Sequence, residues 1–388
     1  MGIKRVSFID CMRGFCLLGI LLANLLIFQF GFIGKEEIKG LSQLDQGALY
    51  FLKVFVEGSF MPIFTLLFGF SLMKLVESVR RKGRKSRWII LRRSIGLIAL
   101  GWLHSVIWEG DILTIYGLTI PALIFFINRK AKTTFIWAGI LFLFIFPTVL
   151  LSESNEVSVK EQQEINTYIE KESQTFANGT FAEIRNFRAN AEYPGIEVDE
   201  VDEVGEMMIF MIVSLLPLFL VGMGLAKIRA FENMDNEKKW YLLGVLLVPI
   251  GLFCKSLGLI ENNLSLMFST VGKTLLSLGY VCLAALLYKV WHDSIISKVF
   301  ECVGKLSLTN YLVQSIICTT VFYGYGLGLF GKLGVFNGIL FGLIIYSLQC
   351  IISFFYLKKN KRGPFEQNLH MWTHWSYPDH IKQKEQVQ

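Results

Sequence analysis

His104 is the residue in this 388-residue chain whose type and setting best suit chemistry. Trp108 and Asp111 follow it at i+4 and i+7, which makes one helical stripe if the helix continues through Glu109-Gly110. If Gly110 instead breaks the helix, the chain turns Asp111 back over the imidazole. Glu57, in Val56-Glu57-Gly58-Ser59-Phe60-Met61-Pro62, is expected at similar depth, above a kink at Pro62. Imidazole titrates near neutral pH, and a neighbouring carboxylate fixes its tautomer and raises its basicity, as general-base catalysis needs. His104, Asp111 and Glu57 are therefore the expected catalytic set. The alternative is a structural, hydrogen-bonded histidine. What favours chemistry is location, because His292, His370, His374 and His380 all fall in polar connectors.

A second polar group lies near the start of the chain and in its last third. Asp10 and Arg13 are spaced i, i+3 and share a helical face, so they can pair and ease each other's desolvation. An ordinary interfacial pair at a helix start is the alternative. Lys305, Asn310 and Gln314 fall in one run, with Asn310 and Gln314 one turn apart. They suit either ligand contact or hydrogen bonding between helices. Arg13, Lys305 and the cations of 80–93 are the types that meet phosphates, although such a cluster also sets topology and touches anionic lipid. The chain has no GxxxxGK[ST] loop, GxSxG elbow, HExxH or CxxC pair, so ATPase, serine-hydrolase and zinc-protease readings lose their usual support, and no metal is expected.

The elements that must position these residues are membrane spans. The chain is 53% hydrophobic and 18% charged with mean hydropathy +0.50, where soluble domains carry about 25% charged residues. Seven cysteines, none in the long polar segment, give no disulfide framework, and secreted or nucleic-acid-binding classes are excluded. A span needs roughly 20 apolar residues. Ten segments qualify, at about 9–32, 51–73, 89–108, 112–127, 134–151, 207–226, 240–260, 264–288, 306–323 and 335–357. Every second connector is basic, beginning with Lys4 and Arg5 and including Arg80 to Arg93, Arg129 to Lys132 and Lys358 to Arg362. The intervening ones, among them Glu36/Glu37, Glu109/Asp111 and Glu261, are neutral or acidic. The alternation predicts an all-α polytopic membrane helix bundle of about ten transmembrane helices with both termini cytoplasmic.

Residues 152–206 carry a net charge of −10 against +17 for the rest of the chain. Their aromatic residues Phe176, Phe181, Phe187 and Tyr193 predict a small, partly helical external cap, the alternative being a solvated loop. The expected organisation is a five-helix membrane half at 1–151, this cap at 152–206, a second five-helix half at 207–357 and a cytoplasmic tail at 358–388. The first span contains Asp10 and Arg13 and no small-x-small site follows it, so it is expected to be retained rather than cleaved. The run Tyr323-Gly324-Tyr325-Gly326-Leu327-Gly328 reads as an external turn, flexible or tightly packed.

Three segments resemble the YeiB-like family of bacterial inner-membrane proteins, a domain of unknown function. They are Ile9-Asp10-Cys11-Met12-Arg13-Gly14; Gly101-Trp102-Leu103-His104 with Trp108-Glu109-Gly110-Asp111-Ile112-Leu113; and Gly304 to Ser315. The ending Gly363-Pro364-Phe365-Glu366 also fits. The resemblance implies the bacterial cytoplasmic membrane. Through Asp10-x-x-Arg13-Gly14 it extends to transmembrane acyltransferases, including the lysosomal heparan glucosaminide acetyltransferase. It implies transfer of an acyl group from cytoplasmic acyl-CoA to an extracytoplasmic acceptor, a glycan or small molecule. This chain departs from the lysosomal enzyme in having Glu57 where that enzyme has a histidine just before the second span. On this reading Asp10, Arg13, Lys305, Asn310 and Gln314 meet the acyl-CoA, and His104 serves as the general base. A proton-coupled transporter or a non-catalytic membrane scaffold fits the same ten spans. Expected partners are the lipid bilayer, acyl-CoA and the acceptor, with no nucleic acid and a homodimer left open.

Overall fold

The computed structural model describes residues 6–151, 158–191, 194, 201–260 and 264–375, and no strand occurs among them. Lys4, Arg5, Tyr193, Glu261 and His380 lie outside the described residues. The first half contains α1 (Ser7–Phe30), α2 (Gln43–Phe51), α3 (Phe60–Arg81), α4 (Ser86–Ile107), α5 (Leu113–Leu123) and α6 (Ala131–Leu151). Within the acidic segment run α7 (Val159–Asn178) and α8 (Phe181–Asn190). Then come α9 (Val201–Lys227), α10 (Met234–Val245), α11 (Leu247–Leu257), α12 (Ser265–Trp291), α13 (Ile295–Lys305), α14 (Ser307–Phe322), α15 (Val335–Lys359) and α16 (Pro364–His374).

Each of the ten expected spans coincides with helix. Among the described residues seven helical stretches are long and apolar enough to cross a membrane: Ser7–Phe30, Gln43–Arg81, Ser86–Ile107, Met208–Lys227, Met234–Leu257, Ser265–Trp291 and Val335–Lys359. The apolar stretches Leu113–Phe126 and Ala131–Ile145 and helix α14 are shorter. The chain is a helical membrane protein.

Close backbone approach holds the bundle. A side chain on Gly304 of α13 would lie 1.8 Å from the Asp10 carbonyl of α1, and one on Gly222 of α9 would lie 1.9 Å from the Leu66 carbonyl of α3. Between membrane helices the hydrophobic effect offers little, so small residues that allow backbone contact carry the association. Helix α1 also packs on α3, α14 and α15, so the parts of the chain before and after the acidic segment interlock.

The connectors gather at two ends. At one end Arg80 donates to Asn128, Lys227 donates to the carbonyls of Phe126 (2.6 Å) and Arg129 (2.8 Å), Lys74 pairs with Glu232 (2.7 Å), and Arg92 lies over the Trp375 ring (4.9 Å). At the other end Arg188 of α8 donates to the last carbonyls of α4, the Gly324 amide donates to the Phe176 carbonyl of α7 (2.7 Å), and the Gly331 amide to the Gln29 carbonyl of α1 (2.7 Å). The alternation of connectors along the sequence is thus an alternation of ends in space. The acidic segment folds as two helices, the second opened by a Thr180–Glu183 capping box. Phe176 is buried against Tyr323 and Phe330, which makes the glycine-rich run a tightly packed turn.

One local expectation is corrected. Pro62 does not kink a continuous helix below Glu57. The chain winds a π turn over Leu52–Val56, breaks at Glu57–Ser59 where Gly58 takes φ +68°, and restarts as α3. Pro62 then sits in the first turn of α3, where its missing N–H would have had no intrahelical partner.

Candidate functional site

Helix α4 stops at Ile107, and Trp108 follows in an extended conformation, so the stripe through Asp111 is not helical. The chain turns at Glu109-Gly110 and brings Asp111 back over His104. His104 Nδ1 and Asp111 Oδ1 are 2.8 Å apart. The second carboxylate oxygen, Oδ2, accepts from the Thr114 amide and the Thr114 hydroxyl, both at 2.9 Å, and so caps the start of α5. Asp111 cannot swing away without uncapping that helix.

His104 is 3% exposed, and its Nε2 has no hydrogen-bond partner. With Nδ1–H donated to the carboxylate, Nε2 presents its lone pair, the form a general base requires. The imidazole is walled by Tyr311 of α14 (ring centroids 5.1 Å) and Trp108 (6.0 Å), and the Tyr311 hydroxyl donates to the Gly110 carbonyl at 3.4 Å. Trp108 stacks on Phe28 of α1 at 4.4 Å, and its Nε1–H is also buried without a partner.

The α7–α8 cap closes this end. Arg188 donates to the carbonyls of Ser105 (3.2 Å), Val106 (2.8 Å) and Ile107 (3.1 Å), placing a cation on the C-terminus of α4, where the helix dipole favours it. Burial pushes the Glu109 carboxyl up, with Arg188 opposing. Glu172 of α7 is 2% exposed and occupies the space a side chain on Gly31 would need. Its burial, reinforced by the charge of Glu109, pushes the carboxyl up to about 8.

Among the described residues, the buried side-chain polar atoms without partners are Gln29 Oε1, His104 Nε2, Trp108 Nε1, Glu172 Oε2 and Arg188 Nε. All five belong to this end of the bundle. Buried polar groups are ordinarily satisfied, and exceptions call for a functional explanation. Their gathering at one end makes this end the candidate site.

Glu57 is not part of the dyad. It pairs with Lys35 in a cluster at the helix break, where Glu36 also pairs with Lys35 (2.7 Å) and Lys53 (2.8 Å). Burial of Glu36 is outweighed by the hydrogen bonds from these two lysines, which hold its carboxyl at about 2. Lys255 of α11 is 3% exposed and donates to the Glu57 carbonyl at 2.6 Å and to Ser59 Oγ at 3.1 Å, while Lys273 of α12 runs alongside Gly58. Neither lysine was expected from the sequence reading, although counting ionisable residues within the seventh and eighth spans would have found both. Tyr311, Arg188 and Glu172 were missed because their roles depend on long-range packing.

Arg13 Nη1 lies 3.4 Å from Asp10 Oδ1 and Nη2 donates to Ser71 of α3, so the expected pair is formed and anchored to a second helix. Lys305 lies 3.6 Å from Glu301. Asn310 and Gln314 join a network instead of facing an opening. Asn310 donates to Ser353 (3.0 Å), Gln314 donates to Gln349 (2.8 Å), and Gln349 donates back to the Asn310 carbonyl (3.0 Å). Asp10 and Phe28, which stacks on the tryptophan beside His104, lie on one helix 18 residues apart, or about 27 Å along its axis. The two polar groups therefore occupy opposite ends of the bundle.

Residues 225–376 match the family model described as "Protein of unknown function (DUF418)". The chain is 29% identical to "Uncharacterized protein YxaH" of Bacillus subtilis (strain 168), over 94% of this chain and 92% of that protein. It is 25% identical to "Uncharacterized protein YeiB" of Escherichia coli (strain K12), over 94% of each. It is 26% identical to an "Uncharacterized 39.9 kDa protein in amylase 3'region" of Bacillus acidopullulyticus, over 96% of this chain and 94% of that protein. These matches support the YeiB-like resemblance. No solved structure matches.

Proposed function

We propose that this YeiB-like membrane protein is an acyltransferase of the bacterial cytoplasmic membrane, moving an acyl group from cytoplasmic acyl-CoA to an extracytoplasmic acceptor, with His104 as general base. The observation that supports it most is the His104–Asp111 dyad, with Nε2 buried and unpartnered. A hydroxyl-bearing acceptor suits the same place. Nε2 is a hydrogen-bond acceptor and Trp108 Nε1–H is a donor, and a hydroxyl group can satisfy both.

In the step proposed, Nε2 takes the acceptor's O–H proton as its oxygen bonds to the acyl carbonyl carbon. The thioester C–S bond breaks, and the imidazolium returns the proton to the departing CoA sulfur. Asp111 stabilises the imidazolium and fixes the ring through Nδ1–H, acting as a positioning residue held in turn by Thr114. Asp10, Arg13 and Lys305 are assigned to the donor end, where Arg13 supplies a guanidinium for phosphate or carbonyl oxygens. Asn310 and Gln314 hold α14 to α15 and position Tyr311 against His104.

Acetyl-CoA turnover by the purified protein tests this. Release of CoA thiol that is lost in both His104→Ala and Arg13→Ala supports the reading. Turnover equal to wild type in both variants refutes it, and solute uptake into proteoliposomes that depends on Glu57 would favour a carrier instead.

A further inference from the structure

At the end of the bundle remote from His104, a cavity of about 360 Å³ opens between the α3–α4 turn and the segment following α5. Arg80, Arg84, Lys85, Arg87, Trp88 and Asn128 line it. Four of these side chains are cations and none is a carboxylate. Arg80 donates to Asn128, so the walls come from two connectors that the bundle holds together. Elsewhere at this end four cations have partners of their own: Lys74 pairs with Glu232, Lys289 with Asp235, Lys227 lies on backbone carbonyls and Arg92 on the Trp375 ring. The cavity also receives the N-terminus of the 22-residue α4, which begins at Ser86 with no side-chain cap. Its first amides are therefore free donors at the positive end of a helix dipole. Trp88, 63% exposed, stands at the rim where an aromatic belt would meet lipid headgroups.

Concentrated positive charge, planar guanidinium forks, free backbone donors and no competing carboxylate are what recognise phosphate oxygens. We propose that this cavity is a binding site for a phosphate group. Two sources carry that chemistry here, the headgroup of an anionic phospholipid in the adjoining leaflet and the nucleotide end of a soluble donor. The site does not rest on the acyl-transfer reading, since the cavity and its charge stand apart from the His104 dyad.

The test uses the full chain in phosphatidylcholine nanodiscs. One arm adds cardiolipin and measures the phospholipid retained after purification; the other titrates 3′,5′-ADP and follows the fluorescence difference between wild type and Trp88→Phe. Arg84→Glu/Arg87→Glu is compared with Lys358→Glu/Lys359→Glu, which makes the same charge change outside the cavity. The cavity variant is expected to bind at least about tenfold more weakly than the control, the scale of losing one charged hydrogen bond. Loss in the cardiolipin arm assigns the lipid source, and loss in the 3′,5′-ADP arm assigns the soluble one. Equal behaviour of cavity variant and control in both arms overturns the proposal. If the double reversal fails to fold, Arg87→Gln takes its place with the same readouts. Phosphate binding without acetyl-CoA turnover would remove the acyltransferase reading and leave this site standing.

Discussion

Asp111 reaches back 2.8 Å from His104 although the helix carrying His104 has already ended at Ile107. The same carboxylate caps α5 through Thr114, so the geometry of the base and the start of the next helix are one structural unit. That coupling separates orientation from charge.

Asp111→Asn keeps the cap's acceptor oxygen but no longer fixes Nδ1–H, so it is expected to lower acetyl-CoA turnover by about 10²–10⁴-fold, the usual worth of general-base catalysis. Asp111→Ala also removes the cap and should cost about 1 kcal/mol of stability. Turnover and thermal unfolding measured on both variants check the split.

Glu172 gives the cap a pH dependence. Its carboxyl is raised from the ordinary 4.5 to about 8, chiefly by burial, so the folded cap favours the protonated form. Between these values the folded state binds more protons than the unfolded one, and stability falls as pH rises. The contribution is fully present below about pH 4.5 and lost through about pH 8. Hydrogen exchange of α7 should quicken across this window in wild type and change less in Glu172→Gln.

Gly304 and Gly47 should respond oppositely to alanine. On Gly304 the new methyl meets the Asp10 carbonyl at 1.8 Å, whereas nothing lies within 4 Å of Gly47 in α2. Gly304→Ala is expected to destabilise by about 1–3 kcal/mol or more, and Gly47→Ala to stabilise by about 0.5–1 kcal/mol. Thermal unfolding in detergent reads both.

Gln314→Leu and Gln349→Leu test whether the α14–α15 network only packs helices. Each should cost about 0.6–1.7 kcal/mol, the range for hydrogen bonds between membrane helices, and the double variant should cost less than the sum because the pair is shared. If acetyl-CoA KM rises tenfold with stability unchanged, these residues contact donor.

The helices were legible in the sequence because hydropathy and alternating connector charge are local signals, and helix fills most of each of the ten stretches. The pairing of Asp10 with Arg13 was legible for the same reason, since i, i+3 neighbours share a face wherever the helix goes. The return of Asp111 was one of two possibilities at Gly110, and the packing that holds it includes Tyr311 against Gly110, 201 residues apart in sequence. Glu57 was misplaced beside His104 because depth in the membrane fixes height and not azimuth; the lysines from α11 and α12 claim its side of the bundle. Arg188 and Glu172 lie in a segment whose composition announces solvent, and only packing against α4 and α1 reveals their role.

The central claim is that His104 Nε2 moves a proton during acyl transfer. Its most direct test is chemical rescue of His104→Gly by added imidazole, read as CoA released from acetyl-CoA by the reconstituted protein. The dyad predicts that His104→Gly is inactive and that imidazole restores turnover, saturably, in that variant and not in His104→Gly/Asp111→Asn. Undiminished CoA release by His104→Gly without imidazole would contradict it.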